Sequence, residues 1–349
     1  MSLPLFRRRT LGLVSALAVT ALLPTLRVRA TAPPARVRVA VGGGERHLLR
    51  HLPLTVATQL DFFRPAGVDV TWLSYPNDAL ALQAVQSGVA DVGAMGFEQA
   101  VRSQGHAVAV RSLVLQARTP QLMMAVSTRA LPHYRSPEDL RRCKIGVEEW
   151  GGLAHAMALQ VLASAGMGSQ DVTFVLVGDG ARAFEALHVG KVQALCHGDP
   201  VMARLERSRE LRVVYDTRSL VGTQAVFGGS VPGSCLAAPV PFLQAHPDRA
   251  QALAAGVVHA LKWLQTAAPA DIVKAIPADA LMGDRRLFLA ALDRVRESIS
   301  PDGLVPQAGA QTAVKMLAVL DPTLDARPSV LAQSYTQEFA RKAKQQFSA

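Results

Sequence analysis

Cysteine is scarce in this 349-residue chain, with Cys143, Cys196 and Cys235 the only three. Their spacing fits no metal-ligand pattern, and an odd number cannot form a closed disulfide framework. Buried free thiols are the expected state, with one disulfide left open in an oxidising compartment. Aromatic residues make up 5% and charged residues 18% of the chain. With half the residues hydrophobic, that composition excludes a disordered chain and supplies a core large enough for two ordinary domains. Enzyme signatures are missing too. Gly42-Gly43-Gly44-Glu45-Arg46-His47 follows a strand-like run but lacks the last glycine of a dinucleotide loop, and no Walker lysine is present. In Gly228-Gly229-Ser230-Val231-Pro232 a proline stands where a nucleophile elbow needs glycine. His197-Gly198-Asp199 is too isolated to read as a metal site.

What is present begins with a targeting segment over residues 1–30. Arg7-Arg8-Arg9 is a positive n-region, 11–23 is apolar, and Val28-Arg29-Ala30 places small residues at −3 and −1 of a cleavage site. The spacing predicts a signal peptide and a mature chain starting at Thr31; Ala30-Thr31-Ala32 is a competing site, with Pro33 following the cut. The apolar run is short for a membrane anchor. Arg8-Arg9-Thr10-Leu11 resembles a twin-arginine signal, so both export routes stay open. The full chain carries +10, and five of its arginines (7, 8, 9, 27 and 29) lie before residue 31 with no acid among them, leaving about +5. That modest charge calls for no nucleic-acid partner. Arg141-Arg142 and Arg204…Arg212 are interleaved with acids and read as solvated helix faces.

An internal duplication lies at an offset of 102 residues. Asp69-Val70-Thr71-Trp72-Leu73 matches Asp171-Val172-Thr173-Phe174-Val175, and Ala79, Ala84, Gly88 and Gly96 match Ala181, Ala186, Gly190 and Gly198. Upstream, strand-like runs at 36–41 and 143–147 lead through glycine-bearing loops into helices near 51–60 and 154–165. Each copy therefore reads as strand, loop, helix, strand, turn, helix, glycine, strand, and the next strands fall at 89–94 and 192–196. Gly88 and Gly190 occupy the left-handed position after a helix. This alternation predicts an α/β protein of two lobes, each a mostly parallel sheet flanked by helices. Beyond the second copy a strand is expected near 233–237, then helices over 247–266 (capped by Asp248), 284–298, 309–319 and 328–346. Returning this tail to the first lobe gives lobe one as 31–118 plus 231–349 and lobe two as 119–230, joined by a hinge of two crossings near 111–122 and 212–230.

Ligands of parallel sheets bind at the carboxyl ends of the strands, where loops meet helix N-termini. The candidate contacts are Gly43, His47, Tyr75, Asn77, Gly96, Glu98, Trp150, Gly151, Gly152, His155 and Asp199. Glycines admit backbone N–H groups to a ligand, and helix N-termini favour sulfonate, carboxylate or phosphate. Trp150 can wall the cleft by apolar or cation–π contact, or pack beside the hinge. His47 and His155 can donate to an anion or be ordinary helix-surface histidines. Glu98 and Asp199 can bind an amine or guanidinium, or cap their helices.

The order and spacing of several motifs resemble a known family. His51-Leu52-Pro53-Leu54-Thr55-Val56-Ala57, then Asp61-Phe62-Phe63-Arg64-Pro65-Ala66-Gly67-Val68-Asp69-Val70, resemble the opening of nitrate/sulfonate/taurine-type substrate-binding proteins of ABC transporters. Ala84-Val85-Gln86-Ser87-Gly88-Val89-Ala90-Asp91-Val92-Gly93, Asp139-Leu140 with Lys144-Ile145-Gly146-Val147, and Ala186-Leu187 with Gly190-Lys191-Val192-Gln193-Ala194 and Asp199-Pro200 continue the likeness, from about residue 36 to about 265. The resemblance implies a type II periplasmic-binding fold, a monomer without cofactor, a small-molecule ligand, and delivery to an ABC permease in the inner membrane. The superfamily also includes binders and makers of thiamine pyrimidine precursors, and the makers' cysteine-rich stretch is not found here. Asp61, Gln193 and Glu148-Glu149-Trp150 depart from the family pattern, so its anion specificity does not carry over directly. A secreted enzyme on the same scaffold and a sensory receptor are the competing classes.

Overall fold

The computed structural model describes residues 33–44, 49–178, 180–281, 283–324 and 327–347. The targeting segment, its cleavage sites and His47 lie outside them.

Register at the offset of 102 carries through to the backbone. Strands β1 (Ala35–Val41), β2 (Val68–Ser74), β3 (Val92–Gly96), β4 (Val110–Leu115) and β5 (Leu122–Ser127) are followed by β6 (Lys144–Val147), β7 (Thr173–Leu176), β8 (Ala194–Gly198), β9 (Leu211–Asp216) and β10 (Ser234–Pro239). One sheet has the order β2-β1-β3-β10-β4 and the other β7-β6-β8-β5-β9. In the first, β1 runs parallel to β2 and β3, while β10 is antiparallel to both β3 and β4. The second repeats this with β6 beside β7 and β8, and β5 as the reversed strand. Each sheet thus has four strands pointing one way and one reversed. The reversed strand is the one that enters just after a crossing between the sheets.

Helix Asp78–Gln86 is matched by Gly180–His188, and β3 by β8, each 102 residues on. Both helices are followed by a glycine in the left-handed region, Gly88 at φ 77° and Gly190 at φ 75°, where a side chain would be strained.

The C-terminal helices divide their contacts. Helices Pro247–Thr266 and Glu338–Phe347 pack against each other and against the first sheet, burying Leu253, Val257, Leu261, Phe339 and Ala340. Helix Gln307–Leu320 instead packs on both Phe97–Arg102 and Leu153–Ala163, so it touches both sheet systems. Its Ala310, Ala313, Val314 and Leu317 join a core cluster containing Met95 beside the first sheet and Met124, Ile145 and Met157 beside the second.

Several local expectations change. The helix Pro247–Thr266 has His246 at its cap position with no side-chain cap bond, so Asp248 does not cap it. Asp248 lies in the first turn, where a carboxylate still complements the helix dipole. The single helix expected over 328–346 is two, Pro328–Gln333 and Glu338–Phe347. Between them Tyr335 bridges to Ser112 on β4, with Ser112 N–H donating to Ser334 O and Thr336 N–H to Ser112 O, so sheet pairing outcompetes helix continuation there. The three cysteines are free.

The crossings run from β4 to β5 and from β9 to β10, and they bind one another. Gly233 N–H donates to Ala117 O, and Thr217 N–H to Leu122 O. A third segment joins them through Arg118 N–H to Ser298 O and Ser300 N–H to Gln116 O. Gly233 is required by this approach, since a Cβ there would lie 2.1 Å from Thr119 O. Among the described residues no helix is long and apolar enough to cross a membrane.

Candidate functional site

A cavity opens between the two sheets, with about 670 Å³ of space counting its mouth. It is lined from both sides. Gly43, Leu49, Arg50, Asn77 and Asp78 come from loops and helix starts after β1 and β2, and Glu148, Glu149, Leu153, Gly198 and Asp199 from those after β6 and β8. Gln121 and Leu122 of the first crossing and Val295 of helix Arg285–Val295 complete the wall. The lining therefore sits at the carboxyl ends of strands in both sheets, where helix N-termini converge.

The chemistry of the first-sheet wall is set by one buried acid. Asp78 receives both terminal nitrogens of Arg50, at 2.7 and 2.6 Å, and the Gly96 N–H at 2.8 Å. Burial alone would raise this carboxyl, but Arg50 outweighs it and holds Asp78 below the usual carboxylate range. A carboxyl oxygen of each of Asp78, Glu98 and Glu149 lies within 4.8 Å of those of the other two. Glu98 is 1% exposed, and beyond its own backbone N–H neither carboxyl oxygen has a hydrogen-bond partner. Burial first, then the Asp78 and Glu149 charges, pushes it up to about 8. Glu149 accepts from Ala79 N–H at 3.3 Å, and burial followed by the Asp78 charge likewise pushes it up to about 8. Glu148 lies 3.3 Å from His197 Nε2.

Nine of the ten described candidate residues fall into three groups, and Tyr75 stands apart. Gly43, Asn77 and Asp199 line the cavity. Asn77 also caps its helix, its Oδ1 accepting from Leu80 N–H at 2.9 Å. Asp199, one residue before the Pro200 cap position, accepts from Ala203 N–H at 2.9 Å, and it meets Arg218 Nη1 at 3.3 Å. Gly96 and Glu98 stand behind Asp78, joined to the wall through the acid cluster. Trp150, Gly151, Gly152 and His155 form a neighbouring knot rather than the cavity wall. Trp150 is 53% exposed and meets His155 edge-on with ring centres 5.0 Å apart, and His155 packs on Phe174 at 4.6 Å. His155 is buried, not a surface histidine; its Nδ1 accepts from Gly151 N–H at 3.1 Å, and burial, then Arg102, lowers its basicity. Gly151 O accepts from Arg102 Nη1 at 2.7 Å, tying this loop to the helix after β3. Tyr75 is held by its backbone to Val41 and Gly44, with its side chain against the shared core.

Arg50, Asp78 and Gln121 have no counterpart among the sequence candidates. Asp78 follows the capping Asn77 and reads locally as an ordinary first-turn acid. Arg50 lies 28 residues away, so their pairing is a tertiary fact without a sequence signal. Glu148 and Glu149 did carry a signal, as a departure from the family pattern.

Solved structures with this arrangement are numerous. A Bordetella bronchiseptica RB50 protein superposes with a TM-score of 0.84 at 39% identity, covering 90% of this chain and 98% of that chain. The alkanesulfonate-binding protein of Xanthomonas axonopodis pv. citri, bound to MOPS, matches with a TM-score of 0.65 at 19% identity over 88% of this chain and 99% of that one. The periplasmic nitrate-binding protein of Synechocystis PCC 6803 matches at 0.69 and 14% over 91% and 90%. At such identities the last two show the fold. No curated protein matches the sequence. The family model described as NMT1/THI5 like covers residues 49–266, from the buried start of the cavity wall through the long helix that backs the first sheet; the chain belongs to that NMT1/THI5-like family and has its periplasmic-binding fold.

Proposed function

We propose that this protein is an extracytoplasmic solute-binding receptor that captures a small organic molecule between two lobes and delivers it to an ABC permease in the inner membrane. The observation that carries the reading is the cavity built from equivalent loop sets of both pseudo-repeats. The hydrogen-bonded crossings beneath it supply the hinge. The lobes comprise 31–118 with 231–349, and 119–230, and helix Gln307–Leu320 bridges them. Residues 1–30 act as the export signal and place the mature chain in the periplasm. Ligand contacts come from Gly43, Asn77 and Asp199, joined by Arg50, Gln121 and Glu149; Trp150 and His155 steady the rim.

A thermal-shift screen of purified chain against sulfonates, carboxylates, amines, amidines and pyrimidines tests this. A ligand at a hundred times its dissociation constant adds about 2.7 kcal/mol of stability, a clear rise in Tm. The released molecule should be chemically unchanged and bound one per chain. Conversion of the ligand would establish an enzyme instead, and a mature protein retained in the cytoplasm would end the transport role.

A further inference from the structure

We propose that the cavity takes the ammonium or amidinium end of a small organic molecule, held by the Glu149 carboxylate on its wall and the Glu98 carboxylate just behind it, beside the Arg50–Asp78 pair. This names a ligand class for the receptor proposed above and rests on that reading. It is opposite in charge to the sulfonate and nitrate named for two of the similar structures.

Five donors that an anion would use on this wall are already engaged. Asp78 occupies Gly96 N–H and both Arg50 terminal nitrogens, Glu149 occupies Ala79 N–H, and Asn77 occupies Leu80 N–H. The chain's own acids thus fill the helix N-termini that would otherwise draw an anion. Apart from the Arg50 Nε–H, which has no partner, what remains on this wall is acceptor capacity. Glu98 is nearly fully buried, neither oxygen has a partner beyond its own backbone N–H, and a carboxyl oxygen lies within 4.8 Å of those of Asp78 and Glu149. A buried, unsatisfied carboxyl is costly to fold around, and a ligand N–H is the group that satisfies it. On charge, one guanidinium faces three acids, Asp78, Glu98 and Glu149. Of the other titratable groups nearby, Glu148 faces His197, His51 and Cys235 are buried and held neutral, and Arg102, on the same helix as Glu98, spends Nη1 on Gly151 O.

A divalent metal fits less well. Both Asp78 oxygens are taken, so two carboxylates remain, and the Arg50 guanidinium would stand beside the ion. An ammonium or amidinium needs only two acceptors at hydrogen-bond distance, and Glu98 with Glu149 provides them. In the free protein these carboxyls hold their protons near neutrality. Cation binding ionises them, and the protons leave to the buffer. Affinity should therefore rise with pH and level off above about pH 8.

The test is isothermal titration of the full chain with agmatine, putrescine and benzamidine, against butane-1-sulfonate, sodium nitrate and the chlorides of magnesium, calcium and zinc. Repeating each titration in buffers of different ionisation enthalpy counts protons. The expected result is binding of an amine or amidine probe with proton release at pH 7. Glu98→Gln and Glu149→Gln should each weaken that probe by about tenfold or more, the scale of one charge-assisted hydrogen bond, and release fewer protons. Glutamine mimics the protonated carboxyl, so both variants should fold, which Tm verifies. Binding of the sulfonate or nitrate in place of the amines overturns this proposal and leaves the receptor reading standing. So does metal binding with no organic cation bound. Amine binding that neither variant changes overturns the assignment to these carboxylates. Failure of every probe together with the wider screen would remove both readings.

Discussion

Asp78 and Glu98 show how one cluster drives neighbouring acids in opposite directions. Asp78 has a bidentate guanidinium and a backbone N–H, so it stays ionised although buried. Glu98 has burial without a cation of its own, so its proton is retained to about 8. The sign of the consequence follows from proton binding. Between the ordinary glutamate range and about pH 8 the folded state holds a proton that the unfolded state has lost. Stability must then fall as pH rises through that window, and flatten above it. Glu98→Gln keeps the shape of the protonated acid and removes the titration. We expect the variant to gain on the order of 1–3 kcal/mol at pH 8 and almost nothing at pH 5, measured by chemical denaturation at both values. An equal effect at the two values would show that Glu98 does not titrate in this window. Glu98 was visible from sequence, because it follows a glycine at a strand end. Its lack of partners was not, because that depends on Arg50 being spent on Asp78.

At the scale of elements, strand and helix positions were largely legible because the duplication repeats them. An apolar run, a left-handed glycine and another apolar run recur at one offset, and two weak local signals in register reinforce each other. The misjudged elements have long-range causes. No local feature of 334–337 shows that Tyr335 would pair with Ser112, so the last helix read as unbroken. The reversed strands were also hidden, since a strand's direction in its sheet is fixed by the crossing before it. Gly233 carries that cost at the crossing. A methyl group there would press on Thr119 O at 2.1 Å, and backbone on both crossings would have to move. Gly233→Ala should destabilise the fold by about 1–3 kcal/mol, the range for strain at an over-determined backbone site, read from equilibrium denaturation. Gly105, whose Cβ would meet nothing within 4 Å, is the control, and its alanine variant should stay within about 0.5 kcal/mol. Similar losses at both sites would mean that the crossings yield freely and cannot define a hinge.

For the whole molecule, the remaining question is what holds the two halves together over the cavity. Helix Val201–Ser208 backs the second sheet, whereas helix Arg285–Val295 buries Phe288, Leu292 and Val295 in the first-sheet core. Arg207 pairs with Asp284 and Arg294 with Glu206, so both ties run from one helix to the other. The arginines are 65% and 51% exposed, so each tie is individually weak and screened by salt. Such ties suit a receptor that must reopen, because they bias closure without locking it. Replacing both arginines, Arg207→Gln with Arg294→Gln, leaves Asp284 free to cap its helix through Arg286 and Leu287 and leaves Glu206 beside Arg218. Tm of the free protein should then change little. On the proposed two-lobe reading, in which ligand binds the closed form, the open form should gain population and apparent affinity should fall by about two- to tenfold. High salt should reproduce that loss in the unaltered protein and add little to it in the variant. In small-angle scattering, the free variant should have a larger radius of gyration than the free parent, and the two should coincide once ligand is bound. If affinity and scattering are unchanged while Tm falls, the ties are structural braces within a fixed body, and closure of the halves is not how this protein captures its ligand.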